Sequence, residues 1–114
     1  AFLLLDLHNA YTHCLDLGVD LQRWLDLLPW PRVLEIHLSG GSDSDPEWLP
    51  SRRVLRLDSH DGAVPEPVWQ AFAEALPRAP NLRGVVLEWM PDGMTAAAAA
   101  QFASDFARAR GMLC

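Results

Sequence analysis

Val33-Leu34-Glu35-Ile36-His37-Leu38-Ser39-Gly40-Gly41 is the stretch on which the predicted fold depends. It has the pattern of a short buried strand that ends in a glycine turn. Successive side chains of a strand point to opposite faces, so Glu35 and His37 share one face and the aliphatic side chains occupy the other. Burying an unpaired charge costs several kcal/mol. A bound metal ion is the obvious way to compensate the two polar side chains.

Three further segments of the chain have the pattern of strands with polar carboxyl ends. Residues 2–9 form a continuous apolar run that turns polar at its end, as buried parallel strands do. Residues 54–62 place Asp58 and His60 two apart just before a glycine, which repeats the arrangement of the central strand. Residues 83–90 supply the fourth predicted strand, with a carboxylate near its end.

Helices are predicted after the first, third and fourth of these strands, over residues 11–28, 65–76 and 96–110, and a long loop follows the second. Asp20 is the expected N-cap within the first helix. Thr95 is expected to cap the last helix, and Gly111 is expected to end it. Strands that alternate with helices indicate parallel pairing with right-handed crossovers. A complete (β/α)₈ barrel needs about 250 residues. The chain is therefore predicted to be a single α/β unit, residues 1–114, that forms half of such a barrel.

Polar residues at the ends of all four predicted strands are expected to converge, because parallel strands end at the same edge of a sheet. They are Asp6, Asn9, His37, Asp58, His60 and Glu88. A mixed imidazole and carboxylate set suits iron, zinc or manganese, whereas the absence of cysteine from it argues against a structural zinc site. The sequence therefore predicts a metal site at this edge.

Composition excludes several classes of partner. The net charge is −6, and all basic residues are arginine without a basic patch, which argues against nucleic acids and anionic membranes. No apolar run approaches the roughly 20 residues of a membrane span. Cys14 and Cys114 lack metal-type spacing and favour a reduced environment. We expect a soluble, cytoplasmic protein.

Four motifs together resemble those of a known family. They are Leu5-Asp6-Leu7-His8-Asn9, Glu35-Ile36-His37-Leu38-Ser39-Gly40-Gly41, Asp58-Ser59-His60-Asp61-Gly62-Ala63-Val64-Pro65 and Leu87-Glu88. In this order they resemble the C-terminal half of the multinuclear non-haem iron-dependent oxidases, whose best-known member acts in methanobactin biosynthesis. The resemblance implies a xylose-isomerase-like TIM barrel, of which this chain would supply the four C-terminal βα units, with parallel strands and flanking helices.

The resemblance also implies a function. Family members carry two or three iron ions in the complete barrel and oxidatively modify cysteine-containing precursor peptides, often with a separate peptide-binding partner protein. Carried over to this chain, the implied metal ligands are Asp6, Asn9, His37, Asp58, His60 and Glu88. Glu35 would lie deeper and orient a ligand.

The chain departs from the family pattern at three points. His8 stands where the family usually has Asn, and it could add a ligand or replace a hydrogen bond. Gly41-Ser42 stands where some members have another histidine. The N-terminal half-barrel, expected to supply two more histidines and a bridging glutamate, is missing. The chain is then either a fragment of a longer product or a half-barrel that associates with another chain.

Three functional hypotheses remain at this point. The first is half of a metal-dependent, multinuclear iron oxidase acting on cysteine-containing peptides. The second is a non-catalytic half-barrel or assembly module that forms homo-oligomers, because an open parallel sheet exposes two edges and an apolar face. The third and weaker one is an isomerase or endonuclease on the same barrel, although the acidic charge disfavours DNA binding.

Overall fold

A computed structural model describes all 114 residues and shows a parallel sheet with flanking helices. The elements are β1 (Leu3–Asp6), α1 (Leu7–Leu17), α2 (Leu21–Asp26), β2 (Val33–Leu38), α3 (Glu66–Ala75), β3 (Gly84–Leu87) and α4 (Ala96–Leu113). Short 3-10 turns cover Trp30–Arg32, Pro46–Trp48 and Leu76–Arg78. The strand order is β1-β2-β3 and both pairs are parallel, as expected for an α/β protein.

The strand register brings the polar ends together. Asp6 lies opposite His37, and His37 lies opposite Val86 on the next strand. Leu38 pairs with Leu87, so Glu88 follows at the same edge of the sheet. The carboxyl ends of all three strands therefore lie side by side.

The hydrophobic core lies between one face of the sheet and the helices. Its completely enclosed side chains include Leu7, Leu25, Ile36, Leu38 and Phe72. The opposite face of the sheet is open, with Leu4 54% and Val86 38% exposed. Glu35 and His37 lie on this open face, whereas the buried Ile36 faces the core, as the alternation of β2 predicts. One face of the sheet is therefore packed and the other carries the polar groups.

The prediction of a third strand at residues 54–62 is wrong. This segment makes no pairing with the sheet and forms only an isolated antiparallel bridge between Arg56 and Asp43. Its backbone bonds return to the preceding loop, where Ser44 N donates to Leu55 O and Leu57 N donates to Ser42 O, both at 2.7 Å. The segment therefore forms its backbone hydrogen bonds within the long loop between β2 and α3. The fold is a partial TIM-barrel-like arrangement with three strands rather than four βα units.

Helix boundaries also differ from the predicted ones. Residues 11–28 do not form one helix, because α1 starts directly after β1 and ends at Gly18, whose φ of +69° is left-handed. Asp20 then caps α2 and Thr95 caps α4, as predicted. Gly111 does not end α4, which continues to Leu113. None of the helices combines the length and apolar composition needed to cross a membrane.

Candidate metal centre

Five of the predicted site residues form two overlapping groups at the carboxyl edge of the sheet. One group is Asp6, Asp58 and His60, and the other is Asp6, His37 and Glu88. In each group the potential ligand atoms lie within 4.8 Å of one another. Asp6 belongs to both groups, so two ions bound there would be neighbours.

Asp6 is placed by the abrupt change from strand to helix. It is the last residue of β1 and the N-cap of α1, where its Oδ1 accepts a hydrogen bond of 2.9 Å from the Asn9 backbone N–H. This contact fixes the carboxylate at the edge of the sheet. The second oxygen of the Asp6 carboxylate remains available to bind a metal ion.

His37 lies between two carboxylates. Its Nε2 is 2.5 Å from Glu35 Oε1, and its Nδ1 is 3.5 Å from Glu88 Oε1. The Glu35 side chain is 44% exposed and that of His37 is 16% exposed. Glu35 thus contacts His37, as expected of an orienting group, but its side chain is more exposed than the ring it contacts.

Asp58 and His60 reach the site from the long loop rather than from a strand. We call them the loop pair, and we call Asp6, His37 and Glu88 the strand group. Asp58 Oδ1 lies 2.7 Å from His8 Nδ1 and 3.2 Å from His60 Nε2. The two groups touch where His60 Nδ1 lies 3.7 Å from Glu88 Oε2.

Asn9 contacts one of the potential ligands, Asp58. Its Nδ2 donates a hydrogen bond of 3.0 Å to Asp58 Oδ2, so its amide is used to hold a carboxylate. His8 makes the corresponding contact with the other oxygen of Asp58. The structure therefore shows both side chains supporting Asp58, and their predicted role as metal ligands remains a prediction.

Two glycines let the loop pair approach β2. A Cβ built on Gly41 would lie 2.1 Å from Leu57 O and 2.9 Å from the His8 ring. A Cβ built on Gly40 would lie 2.1 Å from Ala63 O. Both distances to backbone oxygens are far below van der Waals contact. The two glycines therefore allow the backbone of the loop to approach the end of β2 closely.

Electrostatics at Asp58 favour its charged form. Burial opposes ionisation, but hydrogen bonds from His8 and Asn9 outweigh it, and the pKa of Asp58 is lowered. Burial lowers the pKa of His8 despite its bond to Asp58, which favours a neutral imidazole. His8 Nε2 is buried and has no hydrogen-bond partner. This end of the site thus offers a carboxylate that is held in its anionic form.

The donor set fits a divalent metal ion. Each group offers one imidazole and two carboxylates, a combination that suits iron, manganese or zinc. An ion that binds such ligands at about 2.1 Å holds them roughly 3 to 4 Å apart, so small side-chain movements suffice. Three protein ligands per ion would leave further positions open.

Comparison with known proteins assigns the chain to a family. A family model described as "RiPP precursor modification enzyme MbnB/TglH/ChrH" matches residues 1–113. The chain belongs to this family. MbnB/TglH/ChrH enzymes modify precursors of RiPPs, as that description says, and the match agrees with the resemblance deduced from the four motifs.

Several curated relatives are UPF0276 proteins by name. The relative from Rhizorhabdus wittichii is 39% identical over 74 residues, which are 65% of this chain and 24% of that protein. The relative from Paraburkholderia phytofirmans is 36% identical over 76 residues, or 67% of this chain and 24% of that protein. The relative from Anaeromyxobacter sp. is 36% identical over 87 residues, or 76% of this chain and 28% of that protein. The matched region spans about a quarter of the length of these relatives.

Arg56 makes three contacts beside the site that the sequence did not indicate. Arg56 donates through Nη2 to Gly41 O at 2.9 Å and its Nη1 lies 3.6 Å from Asp43. Its backbone N–H donates to Asp16 Oδ1 at 2.8 Å. These partners are separated by up to 40 residues in sequence, and no local spacing links them. Only the fold of the long loop reveals them.

Proposed function

We propose that this chain forms part of a multinuclear iron site in an oxidase-like enzyme that acts on cysteine-containing peptides. The observation that carries the proposal is the position of Asp6 in both groups of potential ligands. A shared carboxylate is the arrangement expected of a bridged pair of ions. The description of the family as RiPP precursor modification enzymes supports a peptide substrate.

Iron is favoured over zinc among the metals that fit the donor set. Zinc has no redox chemistry and cannot support the oxidation of a peptide thiol. Bound iron would supply the capacity to activate O₂ for the oxidation of a peptide thiol. The chain's own residues would hold and orient the ions. His8 and Asn9 fix Asp58, and Glu35 fixes His37.

Partners of the chain are part of the same proposal. A precursor peptide would be the substrate, and a peptide-binding protein would present it. The matched region is about a quarter of each relative, so the remaining ligands would come from the rest of a longer barrel or from an associated chain. We place this reaction in the cytoplasm, where thiols are kept reduced.

A second candidate function is assembly. The sheet has unpaired edges at β1 and β3, and its open face exposes Leu4 and Val86 beside the polar site. Parallel sheets are almost always covered on both faces. A non-catalytic half-barrel would bury this face by pairing with another copy, and the sedimentation mass would then exceed 12.7 kDa.

The test is to load the chain anaerobically with Fe(II), measure iron per chain, and assay O₂-dependent oxidation of a cysteine-containing peptide by mass spectrometry. We expect bound iron in the chain by itself, and an oxidised peptide when the rest of the barrel or an associated chain supplies the remaining ligands. His37→Ala and Asp58→Ala should each lower the bound iron and abolish the product while circular dichroism stays unchanged, because each removes a potential ligand.

Matched controls are His13→Ala and Asp92→Ala, which replace an exposed histidine and an exposed aspartate outside both groups. Both controls should retain iron and activity. Full retention of iron by His37→Ala and Asp58→Ala would contradict the metal site. Bound iron without any peptide product, in an oligomer, would favour the assembly function.

A further inference from the structure

We propose that Asp16, in the last turn of α1, is a positioning residue that holds Asp58 of the loop pair in place for metal binding. The inference rests on the proposed function for its metal, but its structural basis is independent of any ion. Asp16 touches none of the potential ligands. It acts through the backbone of Arg56, two residues before Asp58.

The backbone N–H groups of residues 55–57 show how the loop is held. Leu55 N donates to Ser44 Oγ at 2.7 Å, and Leu57 N donates to Ser42 O at 2.7 Å. Between them, Arg56 N donates to Asp16 Oδ1 at 2.8 Å. Two of these bonds stay within the loop, and the Asp16 bond alone among the three joins it to a helix.

Arg53 adds a second connection at the same place, because its Nη2 donates to the Asp16 backbone carbonyl. The loop is thus tied to the C-terminal end of α1 just before the loop pair. Asp58 then returns to the N-terminal turn of the same helix, where it meets His8 and Asn9. Both ends of α1 therefore contact the loop: the C-terminal end binds residues 53 and 56, and the N-terminal turn binds Asp58.

The position of Asp16 in the helix is itself unfavourable. The C-terminal end of a helix carries partial negative charge, and a carboxylate there is disfavoured by the helix dipole. Asp16 lies one residue before the end of α1, and no basic residue of α1 stands in the last turn to offset it. Its bond to the Arg56 N–H, together with the Arg53 guanidinium at the Asp16 carbonyl, supplies the compensation. A role in holding the loop accounts for a carboxylate at this position.

Asp16→Ala and Asp16→Asn separate positioning from folding. Alanine removes the acceptor, whereas asparagine keeps an oxygen that can accept from Arg56 N. Asp20→Ala is the matched control, because Asp20 caps α2 through Gln22 N and has no hydrogen bond to the loop. The two measurements are amide hydrogen exchange of residues 55–60 in metal-free protein and the dissociation constant for Co(II), with the visible absorption of bound Co(II) reporting its coordination.

We expect the backbone amides of residues 55–60 to exchange about tenfold faster in Asp16→Ala. The variant should also bind Co(II) about tenfold more weakly and with an altered absorption spectrum, because loss of a residue that orients a metal ligand typically lowers metal affinity by this much. Asp16→Asn should restore most of both, and Asp20→Ala should change neither. Unchanged exchange in Asp16→Ala would overturn the proposed connection. Faster exchange with unchanged Co(II) affinity and spectrum would overturn the positioning role. If the wild-type chain binds no Co(II), the metal proposal fails, and the exchange data still decide the connection.

Discussion

The strand group and the loop pair reach the same site by different physical routes. Asp6, His37 and Glu88 lie at or directly after the ends of three hydrogen-bonded parallel strands. Asp58 and His60 lie on a loop that pairs with no strand of the sheet. It is held by an isolated bridge, by side-chain contacts and by single backbone hydrogen bonds such as that from Met90 N to His60 O at 2.5 Å. The strand group depends on the fold as a whole, and the loop pair depends on a few individual contacts.

This difference implies unequal tolerance to change. A ladder of backbone hydrogen bonds holds the strand group, so no single side chain decides its position. The loop pair depends on close backbone approach at Gly40 and Gly41 and on His8, Asn9 and Asp16. Local substitutions should therefore displace the loop pair first. The predictions below test this inequality, beginning with the largest expected effect.

Gly41→Ala should destabilise the protein by about 3 kcal/mol or more, because its Cβ would lie 2.1 Å from the Leu57 carbonyl oxygen and neither backbone can move freely. Gly84→Ala is the control, since a Cβ on this glycine of β3 meets nothing within 4 Å. Urea unfolding measures both. Equal stability of the two variants would show that the loop does not press against the end of β2.

Much of the strand group could be predicted from the sequence. The alternation of residues 33–38 correctly predicted β2 and the face that carries His37. The apolar run before Asp6 predicted β1, although the strand stops at Asp6 because its carboxylate caps α1 at once. These features are local, so periodicity and capping chemistry reveal them.

The loop pair could be predicted as a motif but not as a structure. Residues 54–57 alternate like a strand, and only their partners show that they pair with residues 42–44 instead of the sheet. Pairing partners are a long-range property that periodicity does not contain. The contacts of Asp16 with Arg53 and Arg56 were missed for the same reason, since they join residues 37 and 40 apart.

Acid should weaken the metal-free protein through His8. Its pKa is lowered from an ordinary value of 6.5 by burial, so below pH 6.5 the unfolded chain binds a proton that the folded chain resists. Stability therefore falls as the pH drops from 6.5 toward the folded pKa. His8→Asn removes this titration while keeping a donor for Asp58. The variant should show a shallower loss of unfolding free energy over this range, a smaller effect than the glycine substitution.

The lowered pKa of Asp58 should cause a further loss of unfolding free energy as the pH falls below 3.8, the ordinary pKa of an aspartate.

His13→Asn is the control for His8→Asn, because it makes the same substitution at an exposed position of α1. Urea unfolding at a series of pH values gives the slopes. Identical slopes for wild type and His8→Asn would mean that burial of His8 does not govern the acid response.

The most direct test of the two-group site is the number of metal ions per chain after anaerobic Fe(II) loading, measured by inductively coupled plasma mass spectrometry. Two ions are expected for the wild type. His37→Ala should keep one ion through the loop pair, and His60→Ala should keep one through the strand group. Asp6→Asn, which preserves the cap of α1 but removes the shared carboxylate, should lose both. Two ions retained by Asp6→Asn would contradict a site built around Asp6.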